Sequence, residues 1–258
     1  MDVRIRPTPE QVAELAADFV AAALTGPTPT IGLATGGTPL ATYDELIRRH
    51  DTDGLQLDHA TYVLLDEYVG IDANHPASYR RFIREVFTDR VGVPTDSVHG
   101  PPGEAHDLAM AADSYERVLD SLPPREIQIL GIGRDGHIGF NEPTSSLASR
   151  TRIKTLTSET REDNLRFFDQ GAVPRHALTM GIGTILESRR LLLLATGAAK
   201  APAIAAAIEG PVTSMVPASA LQLHPAATII VDDEASRDLA NRDFFIEIAA
   251  HRPDWQRP

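Results

Sequence analysis

The chain is predicted to be an α/β protein: one doubly wound domain whose mostly parallel sheet is covered by helices on both faces. Three observations predict it. Short apolar runs alternate with longer helical patterns along the 258 residues, as in repeated strand–helix–strand units. The runs are apolar throughout rather than at every second residue, which marks strands buried on both faces. Glycine-rich or acidic segments follow them, at the strand ends where such sheets bind ligands. No repeat, low-complexity tract or Gly/Ser linker interrupts the sequence, so residues 1–258 read as a single domain.

Taken in order, Thr8-Pro9-Glu10-Gln11 reads as a capping box with proline in the first turn. It opens an alanine-rich helix to about Leu24. Residues 30–34 form a strand; Thr35-Gly36-Gly37-Thr38-Pro39 follows and leads into a helix through Ile47. The strand at 62–65 ends at Asp66-Glu67, and helices are expected at 78–87 and 106–119. A strand at 127–130 enters a loop with glycines at 131, 133, 136 and 139. A further strand at 191–194 leads to Thr196-Gly197-Ala198-Ala199-Lys200, which opens a helix. The last strand, 228–231, is followed by a helix from about Ala235.

Composition excludes several classes. Apolar residues make up 42% of the chain, enough for a sizeable core. There is no cysteine, which excludes disulfides, thiolate nucleophiles and cysteine zinc sites and fits the cytoplasm. The first residues carry no apolar signal region, and the apolar stretch 191–199 is too brief to span a bilayer. A net charge of −12 without a basic tract argues against nucleic acid and anionic membranes as partners. Only two of the 24 basic residues are lysine, Lys154 and Lys200.

Three segments carry candidate chemistry. In the turn at 35–39, glycines leave backbone N–H groups open, Thr38 can cap the helix, and the helix N-terminus attracts an anion. The segment 197–200 repeats the arrangement with Lys200 in the first helical turn. A cation is unfavourable there for the helix dipole, so a phosphate group is its natural partner, a solvent-facing lysine being the alternative. Neither turn is a G-x-x-x-x-G-K-[ST] phosphate loop. In the third segment, Gly131 to Pro143, Asp135 and Glu142 flank His137, a pattern suited to proton transfer. Its glycines also satisfy G-x-G-x-x-G, but Gly139 and Pro143 leave no room for the helix that a dinucleotide site requires. No second histidine or cysteine lies at metal-ligand spacing, so a metal site is not expected. Asp66, at a strand end, is a candidate general base, with Glu67 equally able to cap the next helix.

The motifs LATGGTP at 33–39, LDEYVG at 65–70, HPASY at 75–79, GIGRDGHIGFNEP at 131–143 and SSLASRTRIKTLT at 145–157 together resemble the glucosamine-6-phosphate deaminase family. RFFD at 166–169, ALTMGIGTI at 177–185, GAAKAPAI at 197–204 and LQLHP at 221–225 extend the resemblance over nearly the whole chain. It implies conversion of glucosamine 6-phosphate and water to fructose 6-phosphate and ammonia, without metal or organic cofactor. By that resemblance Asp66 moves a proton between C2 and C1, and His137 opens the sugar ring with Asp135 and Glu142 orienting it. Thr35, Gly36, Gly37, Thr38, Gly131, Arg166 and Lys200 belong to the substrate and phosphate site. Ser145, Arg152 and Lys154 match an effector site for N-acetylglucosamine 6-phosphate between subunits of a homo-oligomer, a hexamer in family members. Residues 152–180 match a mobile lid. The chain departs from the pattern at Asp243-Phe244-Phe245, where an effector-site tyrosine is expected.

Two other functions compete. A 6-phosphogluconolactonase shares the fold and a similar Asp-Gly-His loop, but has less need of Glu142 or of a base at Asp66. A sugar-phosphate-sensing domain needs the phosphate site without the acid–base group, and comes with a DNA-binding helix-turn-helix for which the sequence has no room.

Overall fold

The structure, a computed structural model, describes residues 1–165, 168 and 172–253. Its central element is a parallel sheet of seven strands in the order β1-β10-β9-β6-β2-β3-β5. These are β1 (Asp2–Arg6), β2 (Thr30–Leu33), β3 (Thr61–Leu64), β5 (Val98–His99), β6 (Arg125–Leu130), β9 (Leu191–Ala195) and β10 (Ala227–Asp232). Every residue of β2 and β9 is buried, as the uninterrupted apolar runs require when both faces are covered. The longer helices are α1 (Pro9–Ala23), α2 (Gly37–Asp53), α3 (Tyr79–Val86), α4 (Leu108–Ser121), α7 (Ala201–Glu209) and α8 (Arg242–Ala250). Among the described residues no helix is long and apolar enough to cross a membrane.

Local signals hold where they rest on neighbouring residues. Thr8 Oγ1 accepts from Gln11 N at 3.4 Å and Pro9 opens α1. Strand order then sets the site. From β2 the chain runs outward through β3 and β5, returns to the other side of β2 as β6, and continues through β9 and β10 toward β1. The reversal between β2 and β6 is a topological switch point, the crevice where open α/β sheets bind ligands.

The two-residue strand β5 was not expected from the sequence, and three larger features also differ from that expectation. The chain begins with β1 rather than α1. That strand is at the sheet edge, paired with β10, and its arginines hide it from an apolar-run criterion: Arg4 Nε bonds Asp2 Oδ2 at 2.8 Å, and Arg252 also pairs with Asp2. The helix expected from Ala235 begins only at Arg242. Asp232 accepts from Ala235 N at 2.7 Å, fixing a turn where the helix was expected. Finally, a second, antiparallel sheet was not foreseen. It joins β4 (Asp66–Tyr68), β8 (His176–Thr179) and β7 (Arg152–Thr155), in that order. Two short helices flank it in sequence, α5 (Ser158–Asn164) and α6 (Ile182–Leu186).

Candidate active site

At the end of β2 the backbone is held to α2 by one hydroxyl. Ala34 N donates to Tyr43 Oη at 3.1 Å, and the same hydroxyl donates to Ala34 O at 2.7 Å. Gly36 follows with φ +127°, a conformation glycine alone adopts readily. Gly36 is the N-cap of α2 and makes no side-chain cap bond. Thr38, expected as that cap, lies instead inside the first turn, with its hydroxyl 3.3 Å from Thr196 Oγ1. The first N–H groups of α2 therefore face the crevice without a side-chain cap, a ready anion site.

The second turn is built alike. Gly197 takes φ +86° and its N–H donates to both carboxylate oxygens of Asp232 at 3.0 Å. A short 3₁₀ turn, Ala198–Lys200, then leads into α7. Lys200 thus stands just before that helix rather than in its first turn, and it lines the same cavity as Gly36 and Gly37.

Beyond β6 the loop turns back on itself. Gly133 N donates to His137 O at 2.9 Å and Gly136 N to Gly133 O at 3.1 Å, and no helix starts there, as the rejection of a dinucleotide site requires. The His137 ring lies so close over Gly133 that a Cβ on that residue would sit 2.3 Å from Nδ1. His137 Nδ1 is 2.7 Å from Asp135 Oδ1 and 3.9 Å from Glu142 Oε2. The first is an ion-pair distance without hydrogen-bond alignment, since Nδ1 makes no hydrogen bond. Glu142 is 4% exposed; its Oε1 accepts from Thr157 N at 3.3 Å, while Oε2 has no hydrogen-bond partner. Burial opposes ionisation of Asp135, but the neighbouring imidazole outweighs it and holds that carboxyl well below the usual range. Asp135, His137 and Glu142 bring one ligand atom each within 4.8 Å of one another, a set of donors that could also hold a divalent cation.

Asp66 does not end β3; Leu65 intervenes, and Asp66 opens β4 opposite Thr179. Alternation along a strand then parts the two adjacent carboxylates. Glu67 turns to the start of α3, where it accepts from Ser78 Oγ at 2.7 Å, Tyr79 N at 3.1 Å and Arg80 N at 3.1 Å, and also from Tyr68 N at 2.9 Å. Asp66 turns to the cavity and is 5% exposed. Burial first, and the nearby Glu67 charge second, raise its carboxyl well above the ordinary aspartate range. A Cβ on Gly139 would lie 3.4 Å from Asp66 Oδ2, so this carboxylate meets the loop that carries His137.

These parts enclose one cavity of about 560 Å³, with Thr35, Gly131, Asp66, His137 and Lys200 on its walls and α5 opposite. Its size and its few convergent polar groups suit a small polar ligand. A sequence profile of the family described as glucosamine-6-phosphate isomerases/6-phosphogluconolactonase matches residues 7–230. The chain belongs to this family.

Several relatives are glucosamine-6-phosphate deaminases. A glucosamine-6-phosphate deaminase of Corynebacterium kroppenstedtii is 50% identical, with all of each chain covered. One of Streptomyces coelicolor is 49% identical, with 99% of each covered. A solved structure described as a monomeric glucosamine-6-phosphate deaminase matches with a TM-score of 0.90 at 43% identity, covering 92% of this chain and 100% of that one. The 6-phosphogluconolactonase of Trypanosoma brucei, at TM-score 0.72 and 21% identity, with 93% of this chain and 98% of that one covered, shares the fold.

The residues matched to an effector site fall outside the cavity walls. Arg152 Nη1 donates to Asn141 Oδ1 at 2.8 Å, and Ser145 Oγ is buried without a hydrogen-bond partner. Lys154 is two residues further along β7, its pKa lowered by burial and by Arg152. Arg166 lies outside the described residues. Sequence reading missed Tyr79, Thr196 and Arg134, all cavity residues. Tyr79 closes the HPASY motif and Thr196 follows a strand, so motif position could have flagged both.

Proposed function

We propose that the chain is a glucosamine-6-phosphate deaminase, releasing ammonia from glucosamine 6-phosphate and water to give fructose 6-phosphate. The observation that carries this proposal is the meeting of a buried carboxylate, Asp66, with the His137 loop in a cavity that also holds Lys200. A lactone hydrolase has no carbon acid to deprotonate and less need of such a base.

The phosphoryl group occupies the open N–H groups at Gly36 and Gly37, with Thr38 and Lys200 lining the same cavity; Arg166, which the resemblance assigns to this group, lies outside the described residues. His137, held beside Asp135 and Glu142, takes the C1 hydroxyl proton and delivers a proton to the ring oxygen as the bond between C1 and that oxygen breaks, which opens the ring to the aldehyde. Asp66 then takes the C2 proton, giving an enolamine, and returns it to C1, leaving an iminium at C2. Water adds there, ammonia leaves, and the C2 ketone remains. A carboxyl raised by burial suits this shuttle, since it must both accept and give back the proton near neutral pH. Binding the phosphoryl end, remote from C1 and C2, holds the open chain in register with Asp66. Within the segment expected as a lid, α5 lines the cavity and excludes water while the enolamine exists. The cysteine-free composition supports a cytoplasmic setting for the reaction, and the proposed steps need neither metal nor organic cofactor.

Purified protein is expected to release ammonia from glucosamine 6-phosphate at the same rate with and without a chelator. No ammonia release, together with hydrolysis of 6-phosphogluconolactone, would replace this reading with the lactonase one. The finer assignments are a homo-oligomer, hexameric by resemblance, and an effector site for N-acetylglucosamine 6-phosphate at Ser145, Arg152 and Lys154. A relative at 43% identity is described as monomeric, so sedimentation tests the assembly first. Addition of the acetylated sugar phosphate, with rate and cooperativity unchanged, would remove the effector.

A further inference from the structure

The acid–base loop is tied at its apex to the wall opposite. Arg134 stands between Gly133, on which the His137 ring lies, and Asp135, the partner of that ring. Its guanidinium reaches out of the loop to α5. Nε lies 3.1 Å from Asp163 Oδ2, Nη2 lies 2.6 Å from Asp163 Oδ1, and Nη2 is 3.4 Å from Glu159 Oε1. A two-pronged contact of this kind fixes orientation as well as distance. Arg134 and Asp163 both line the cavity, as do Thr160 and Asn164 of α5. Of the residues in α5 only Thr160 is buried, so apolar packing does little to seat this helix and polar ties weigh more.

We propose that Arg134 and Asp163 form a positioning pair that seats α5 against the acid–base loop and so shapes the wall facing the sugar phosphate. The substrate named here rests on the deaminase reading; the tie between loop and helix does not. Both side chains are partly exposed, 46% and 44%, so salt screens the pair and its effect is a few-fold rather than a switch. Arg134 is already matched to a carboxylate. It therefore serves the phosphoryl group through α5 and not as a direct ligand, a task that falls to the Gly36 and Lys200 side.

The test is a double-mutant cycle on the full chain with Arg134→Ala, Asp163→Ala and the pair together. Each single variant is expected to raise KM for glucosamine 6-phosphate about fivefold with kcat within about twofold. The double variant is expected to be no worse than either single one. Raising salt from about 50 mM to about 1 M should narrow the gap to wild type. Without substrate, amide hydrogen exchange at 158–164 should quicken in all three variants while the thermal midpoint stays put. Multiplying effects in the double variant would overturn the pair, as would unchanged exchange. A raised KM in Arg134→Ala with none in Asp163→Ala would make Arg134 a direct ligand and overturn it too. If wild type releases no ammonia the deaminase reading falls, and the exchange measurement still decides the tie.

Discussion

The two walls of the cavity are built from different forces. One consists of strand ends of the parallel sheet, where residues 34, 65 and 131 follow β2, β3 and β6 directly. It is braced by buried bonds such as Tyr43 Oη to both backbone groups of Ala34. The other wall is α5. Of its residues only Thr160 is buried, and the helix leans on charged side chains. Groups that must be placed to a fraction of an ångström, Asp66 and His137, sit on or against the first wall. The second wall can adjust to substrate because few buried contacts hold it.

If that contrast is right, damage to the first wall should cost far more than damage to the second. Asp66→Asn is expected to lower kcat by about 10²–10⁴-fold, measured as ammonia release. The same variant should be more stable than wild type at neutral pH. Burial and Glu67 raise the folded pKa of Asp66 above the ordinary 3.8, so the charged carboxylate costs folding energy once pH exceeds that value. The gain should disappear below about pH 3.8, where both states carry the proton; a gain that persists in acid would have another cause. Next in size, Gly133→Ala forces a methyl group to within 2.3 Å of the His137 ring. Moving that ring should cost about 10²-fold in kcat with the fold intact by circular dichroism. Glu67→Ala strips the acceptor from four donors at β4 and the start of α3 and should lower stability by about 2–3 kcal/mol in urea titration. It also removes a negative neighbour of Asp66, so the acid limb of the rate profile should move to lower pH. The few-fold effects at Arg134 and Asp163 come last. A comparable loss of kcat there would erase the distinction between the walls.

Much of this was legible in the chain itself. Thr8 and Pro9 announce α1 because a cap depends on neighbours in sequence. The mainly apolar runs at β2, β6 and β9 announce a sheet covered on both faces because burial leaves few polar positions in them, such as Thr30 and Gln128. The glycines between 131 and 139 mark a non-helical loop for the same local reason. By contrast β4, β7 and β8 were invisible. They are short, carry charged residues such as Asp66 and Lys154, and exist only through pairing with segments distant in the chain, as β4 does with β8 (Asp66 opposite Thr179) and β7 with β8 (Lys154 opposite Ala177). The choice between Asp66 and Glu67 was equally closed to sequence reading, since both are carboxylates at one strand end.

The sequence determined the strand and helix periods, the glycine turns and the kinds of groups available for proton transfer and phosphate binding, because each depends on residues adjacent in the chain. Only the tertiary structure decided which carboxylate faces the cavity, that Gly139 brings the His137 loop against Asp66, and that Arg134 reaches Asp163. Those are meetings of distant segments, set by strand order at the β2–β6 reversal and by the pairing of β4 with β8, and no local pattern encodes them.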